Sequence, residues 1–310
     1  MSSQVTEAFV QQYNANVFHL SQQKGSRLQP AVRVESQKSK AAFWDRIGTT
    51  AAVLKSGRHS STPQIDTPHS RRMVTMADYE WADLVDDQDK IRMLIDPTSE
   101  YAMAAAFAFG RSKDDVIIAA AIGTAHSGEA GATSVVLPDA QKFAATTGSA
   151  LSNLNVYTLR KIKKMFDEDE VEGKRYFAYT ASQAEALLGQ TEVTSADYNT
   201  VRALVQGEVD TFLGFNFIRT ERLGTVASGV TATAATGAVV TSGGGGTSVS
   251  GDRSCFAFAE QGLLMSVGED FTTKIDPRVD MSYSTQVYAR MSIGATRMEE
   301  VKVIEVICQE

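Results

Sequence analysis

The sequence predicts an α+β fold, and three observations carry that prediction. One long Ala-rich segment near residues 97–123 keeps a helical period, β-forming residues alternate in two runs that close the chain, and residues 45–80 sustain neither period.

The first element is expected to be an amphipathic helix over residues 3–22, because Val5, Phe9, Tyr13, Val17 and Leu20 recur at spacings of three and four. A short strand, Ala31–Glu35, follows Pro30. Residues 45–80 mix turn formers (Gly48, Gly57, Pro63, Pro68) with scattered β-formers. A structureless stretch of that length is unusual inside a compact domain, so it reads as functional or as a protruding hairpin. A two-stranded hairpin is marginal alone and needs a neighbour to lie on.

At Asp96 the pattern changes. Asp96 suits an N-cap, Pro97 the first helical turn, and Glu100 the positive end of the helix dipole. Tyr101, Ala105, Ala108, Ser112, Val116, Ala119 and Ile122 form the expected buried stripe, Gly110 is a weak point, and Gly123 is the stop. The resulting helix of roughly 27 residues would be about 40 Å long, more than twice the usual globular length. It is expected to serve as a spine.

After a Gly-rich bend at 124–133, Val135–Pro138 is strand-like. Asn155–Asp167 reads as a helix, with Leu159, Ile162 and Phe166 on one face and Arg160, Lys161, Lys163 and Lys164 on another. Tyr176 and Ala178 alternate, Thr180 or Ser182 caps a short helix ending at Leu188, and a further helix is expected at Tyr198–Gln206. Thr211–Leu223 has strand character around Gly214. Residues 224–251 consist of Gly, Ala, Thr, Ser and Val, and read as a loop or flexible β-excursion. Tyr283–Met291 and Val301–Cys308 are the closing strands, with a turn expected at Gly294. No internal repeat is present.

With 43% hydrophobic and 22% charged residues, the chain can bury a core without staples. Its longest apolar stretch, 102–108, is too short to span a bilayer, and MSSQVTEAFV lacks a signal-peptide pattern. Cys255 and Cys308 sit among apolar residues and are expected to be buried free thiols. The net charge of −7 is uneven: residues 1–72 hold ten Lys/Arg against four Asp/Glu, which leaves the remainder strongly acidic. A basic arm on an acidic body points to nucleic acid or to a second copy of the same chain.

No enzyme reading survives inspection. Gly243–Gly246 is followed by no Lys-Ser/Thr and no helix, so it is no phosphate loop. Asp86, Asp87, Asp89, Asp114 and Asp115 match no calcium-loop spacing and read as solvated ends or salt-bridge partners. His126 lies in a glycine-flanked turn with no Gly-x-Ser-x-Gly elbow, and Cys255 alternates like a strand residue. His19, His59 and His69 are isolated, and no CxxC or HExxH occurs, so no catalytic, cofactor or metal site is expected.

The order of parts, and three stretches in particular, resemble the Hong Kong 97-type major capsid proteins of tailed phages. Asp86-Asp87-Gln88-Asp89-Lys90-Ile91-Arg92-Met93-Leu94-Ile95-Asp96-Pro97 is similar to the entry to that family's spine helix. Gly207 to Ile218 is similar to its strand with a Gly-Phe step, and Tyr283 to Ala289 with Gly294 to Arg297 to its ending. The resemblance implies an N-terminal arm (1–44), an extended β-hairpin loop (45–80), a peripheral domain with the spine helix (81–174), an axial domain (175–280) holding the 224–251 excursion, and C-terminal strands (281–310) returning to the peripheral domain. It also implies pentamers and hexamers closing into an icosahedral shell around double-stranded DNA, assembled in the host cytoplasm. Implied partners are further copies of the chain, a separate scaffolding protein, the portal, a decoration protein and non-specifically held DNA, with no membrane. A fused, uncleaved scaffold is not expected, since the chain begins almost at the arm. Arg46, Arg58, Arg71 and Arg72 are expected to meet acids of an adjacent copy, in the runs Asp83 to Asp89 (Asp86, Asp87, Asp89) or Asp167 to Glu172. The rival reading is a phage or bacterial adhesion or fibre module that uses the Gly/Thr/Ser excursion, and it leaves the spine helix unexplained.

Overall fold

A computed structural model describes residues 21–86, 98–147, 150–190, 211–226, 231–234, 239–241 and 252–310. Residues 3–20 of the helix expected at 3–22, the helix expected at 198–206, the Gly243–Gly246 run, and Asp87 and Asp89 lie outside the described residues, while residues 21 and 22 are not helical.

The described chain opens with β1 (Arg33–Ser36), β2 (Ala41–Ile47), β3 (His69–Thr75) and β4 (Ala77–Val85), and then forms helix α1 (Thr98–Ile122). Next come β5 (Ala125–Ser127), β6 (Thr133–Val135), β7 (Lys142–Ala144), the short pair β8 (Thr146–Thr147) and β9 (Ala150–Leu151), and helix α2 (Val156–Glu168). β10 (Arg175–Tyr179), helix α3 (Ala181–Leu188), β11 (Thr211–Phe212), β12 (Phe215–Arg219), β13 (Thr231–Ala234) and β14 (Val239–Thr241) follow. The chain closes with β15 (Arg253–Ala259), β16 (Leu263–Arg278), β17 (Ser284–Arg297) and β18 (Val303–Cys308).

Two compact units divide these elements, and β4, α1, β16 and β17 contribute residues to both. The larger comprises 27–77, 113–268 and 293–310. Its frame is an eight-stranded mixed sheet in the order β11-β12-β10-β15-β18-β7-β13-β14. The middle strands are buried on both faces: β18 and the last six residues of β15 are covered throughout. Such strands read as continuous apolar runs and not as alternation. Helix α2 buries Leu159, Ile162 and Phe166, the face its spacing predicts, and Phe166 meets Phe215 at 6.0 Å between ring centroids. Each such buried aromatic contributes about 1.5–3 kcal/mol through removal of apolar area from water. Asn155 caps α2 by accepting the Thr158 N–H at 2.7 Å. Thr180 takes the N-cap position of α3, but its hydroxyl makes no cap bond. Glu221 accepts the Ala181 N–H there instead, at 2.8 Å. A second sheet of this unit, β2-β3-β5-β6, is antiparallel throughout.

The smaller unit comprises 1–26, 78–112 and 269–292. Phe109 packs edge-on against Phe271 at 5.6 Å. Gly110, a weak point for helix propensity, has a packing reason: a Cβ there would stand 2.5 Å from the backbone of Gly25. Arg290 pairs with Glu269 at 2.9 Å, and Tyr288 donates to Glu80 at 3.1 Å.

The structure corrects several sequence expectations. Helix α1 has the expected extent, but its buried face runs through Ala105, Phe109, Asp114, Ile117, Ile118 and Ala121, while Ala119 is exposed. An alanine-rich helix offers little contrast between faces, so the few large side chains decide which one turns inward. Asp114 is not solvated: its carboxylate accepts the backbone N–H of Arg27 and of Leu28, each at 3.1 Å. Gly294 makes no turn. It lies inside β17, where a Cβ would collide with the Thr75 carbonyl oxygen, so a close backbone approach explains the glycine. The 16-residue β16 escaped the sequence reading. Within the 224–251 excursion, β13 and β14 pair with each other, and β13 also joins β7, so part of it extends the large sheet. The final strand, β18, lies between β15 and β7 and not beside β17.

Candidate functional site

The expected contact residues concentrate on the hairpin of β2 and β3. The two strands pair in register from Ala41↔Thr75 to Ile47↔His69, and the Gly48 N–H donates to the Pro68 carbonyl at 2.9 Å to close the root. Beyond that root, residues 49–66 are exposed without interruption. They include apolar side chains that water does not favour: Leu54 is 92% exposed and Val53 61%. Contiguous exposed apolar side chains mark contact sites. Arg58 stands on this loop, exposed.

The four arginines separate into two kinds. Arg71 faces outward, donates to Asp45 at 3.0 Å and lies 5.7 Å from the Phe43 ring centre. An exposed pair of this type is worth at most about 1 kcal/mol. Arg72, the next residue, faces inward with its side chain 1% exposed, and pairs with Glu300 of its own chain. Arg46 donates to the Met298 carbonyl and lies 4.0 Å from Glu300. The expectation that all four meet acids of an adjacent copy is therefore corrected for Arg72 and Arg46, which are engaged within the chain. Asp86 is exposed at the end of β4. In the other acidic run, Asp167 pairs with Arg175 at 2.7 Å and Glu168 with Lys164 at 3.0 Å.

Glu300, which Arg72 and Arg46 approach, also lies 3.9 Å from a residue that the sequence reading missed. Arg297, fully buried, donates to the carbonyls of Ala121 at 2.9 Å, Gly123 at 2.8 Å and Val135 at 3.1 Å. It thus satisfies carbonyls that the end of α1 leaves open and puts positive charge at the negative end of the helix dipole. Burial lowers the Arg72 guanidinium below its ordinary value. Glu300 opposes that fall and Arg46 adds to it. Arg297 is lowered too, chiefly by burial. Arginine nonetheless stays charged in proteins. This knot joins the hairpin root, the end of α1 and the C-terminal segment. Its only sequence trace is an arginine after an alternating run, which is also how a surface residue looks.

A cavity of ≈ 570 Å³ lies beside the large sheet, lined mainly by Ile118, Ile122, Val136, Lys142, Val226 and Glu305. Burial raises the Glu305 carboxyl above the usual range, while the Ser254 hydroxyl, donating at 2.6 Å, pulls it down. Cys255 and Cys308 are both free and buried. A hydrogen bond with Cys255, together with burial, pushes the Cys308 thiol well up. His126 sits exposed on β5, and among the described residues no group of three or more His, Cys, Asp or Glu is placed to hold a metal. No helix among the described residues is long and apolar enough to cross a membrane.

A family model described as phage capsid protein matches residues 5–310. Among solved structures, the chain is similar to the capsid of the cyanophage P-SCSP1u, with TM-score 0.72 and 16% identity over 99% of this chain and 95% of that one. It is similar to the capsid of Helicobacter pylori bacteriophage KHP30, with TM-score 0.70 and 10% identity over 99% and 96% of the two chains. A structure from Mycobacterium phage Che8 matches with TM-score 0.68 and 16% identity over 96% and 97%. At these identities the likeness is one of fold. A search of curated proteins gives no match.

Proposed function

The chain belongs to the phage capsid protein family, and we propose that copies of it associate as pentamers and hexamers that close into an icosahedral shell around double-stranded DNA. The observation that carries this reading is the extended loop: residues 49–66 are exposed throughout and present Val53 and Leu54 to solvent. Laid on an adjacent copy, the loop would bury that apolar area, and association stabilises whatever it buries by mass action. Arg58 and Arg71 are the arginines available for acids of the neighbour, with Asp86, Asp87 and Asp89 as candidate partners. Arg46 and Arg72 act one step back, holding the root of the loop.

The chain in this reading is a building block and not a catalyst. The arm is placed at 1–44, the loop at 45–80, and the spine helix in a peripheral part. The pairing of β18 with β15 supports grouping 303–308 with the axial part at 175–280. A scaffolding protein, the portal, a decoration protein and DNA complete the set of partners, with assembly in the host cytoplasm and the shell in the virion. The adhesion or fibre reading draws no support from the family match or the fold.

Electron microscopy of the purified protein tests the reading, with closed shells or five- and six-fold capsomers as the expected result. Fibres would favour the rival, and monomers at high concentration would defeat the proposal. Replacing both Val53 and Leu54 with serine should leave the unfolding midpoint of the free subunit unchanged and lower shell yield. Unchanged yield would remove the loop from the interface.

A further inference from the structure

Three guanidinium groups at the hairpin root share one carboxylate. Arg72 reaches Glu300 Oε1, Arg297 Nε lies 3.9 Å from the same oxygen, and Arg46 Nη1 lies 4.0 Å from Oε2. Donors outnumber acceptors there. The Met298 carbonyl accepts from both Arg46 and Arg72, yet Arg46 Nε, Arg72 Nη1 and Arg297 Nε are buried with no hydrogen-bond partner in the protein. The other nearby acids bond elsewhere, Glu299 to Lys302 at 2.5 Å and Glu305 to the Ser254 hydroxyl at 2.6 Å, and they act on Arg72 and Arg297 only through space.

Buried N–H groups are almost always bonded, and buried charges are almost always paired. Removing one partner of such a cluster is costly because it strands the rest. A cluster with surplus positive charge and three unmet donors therefore calls for a negative acceptor. We propose that the Arg46–Arg72–Arg297 cluster binds a small, readily dehydrated anion of the halide class, with chloride as its ordinary occupant.

The unmet donors come from β2, β3 and the end of β17, and a sphere accepts N–H groups from any direction. Arg72 and Arg297, at 1% and 0% side-chain exposure, form the floor. Arg46 and Glu300, each at 21%, offer the way in. Occupancy would tie the hairpin root more firmly to the C-terminal segment, and this does not depend on how copies assemble.

The test compares unassembled subunit in sodium chloride with subunit in sodium gluconate at constant ionic strength. Chloride should raise the unfolding midpoint saturably, by about 2–4 °C at tenfold excess over the dissociation constant. The ³⁵Cl resonance should broaden with the wild-type protein and much less with Arg46→Gln. Glu300→Gln removes the competing carboxylate, so its half-saturating chloride concentration should fall several-fold. That variant decides the matter if Arg46→Gln does not fold. Equal midpoints in the two salts would overturn the proposal, as would a chloride response unchanged in both variants or a response to phosphate alone.

Discussion

Replacing Arg297 with leucine keeps a shorter, apolar side chain and removes the three charge-assisted hydrogen bonds to Ala121, Gly123 and Val135. A hydrogen bond to a charged donor is worth about 1.5–3 kcal/mol net, and each stranded buried acceptor costs about 1–3 kcal/mol. Two effects work against that loss: leucine needs no desolvation, and Arg72 is relieved of a like charge. The balance falls near the cost of breaking a buried ionic group, about 3–5 kcal/mol. Arg297→Lys keeps the charge but loses the fork geometry, so it should cost about half as much. Urea unfolding of the free subunit measures both. The control is Arg222→Ala, which breaks the half-exposed pair with Asp115 and should cost no more than about 1 kcal/mol. A loss below about 1 kcal/mol for Arg297→Leu would refute the view that this arginine closes the end of α1.

Other predictions concern single residues. Because burial raises the Glu305 carboxyl, the folded protein holds that proton more tightly than the unfolded chain does. Stability should therefore fall as pH rises from the ordinary glutamate range to the raised value. Glu305→Gln, which can still accept from Ser254, should be more stable than wild type at pH about 7, with the gain vanishing below the ordinary carboxylate range, at pH about 4. Equal gains at both pH values would sink the argument. Gly294→Ala drives a Cβ into the Thr75 carbonyl and should cost about 1–3 kcal/mol, whereas Gly224→Ala meets nothing and should stay within about 0.5 kcal/mol. Arg58→Ala should leave the free subunit's midpoint unchanged, while Arg72→Ala should lower it sharply and leave Glu300 without its closest partner. Matching midpoints for those two variants would show that Arg72 is not buried in solution.

Local chemistry carried much of the fold into the sequence. Helix α1 was legible because alanine propensity, Glu100 and Gly123 act within a few residues of the positions they govern. Helix α2 was legible for the same reason: Asn155 caps it locally, and Leu159, Ile162 and Phe166 share a face by spacing alone. The α+β class and the protruding hairpin followed from equally short-range patterns. The double burial of β15 and β18 was not legible, because a strand inside a sheet and a short buried helical run give similar apolar runs.

What the tertiary structure alone decided is which face each element turns inward. Arg71 and Arg72 are adjacent and chemically identical, so the pleat of β3 must send them to opposite sides. Nothing local says which side will be covered. The covering groups, Met298, Glu300 and Arg297, lie more than two hundred residues away, and a separation of 86 to 87 residues hid the burial of Asp114 against Arg27 and Leu28. By itself the sequence determined a spine, a basic hairpin and a charge asymmetry that suits nucleic acid or a second copy of the chain. The fold then committed Arg46 and Arg72 to hold the hairpin's root and left Arg58, Arg71 and the loop's apolar tip outside, because charge can be buried only where distant acceptors converge on it.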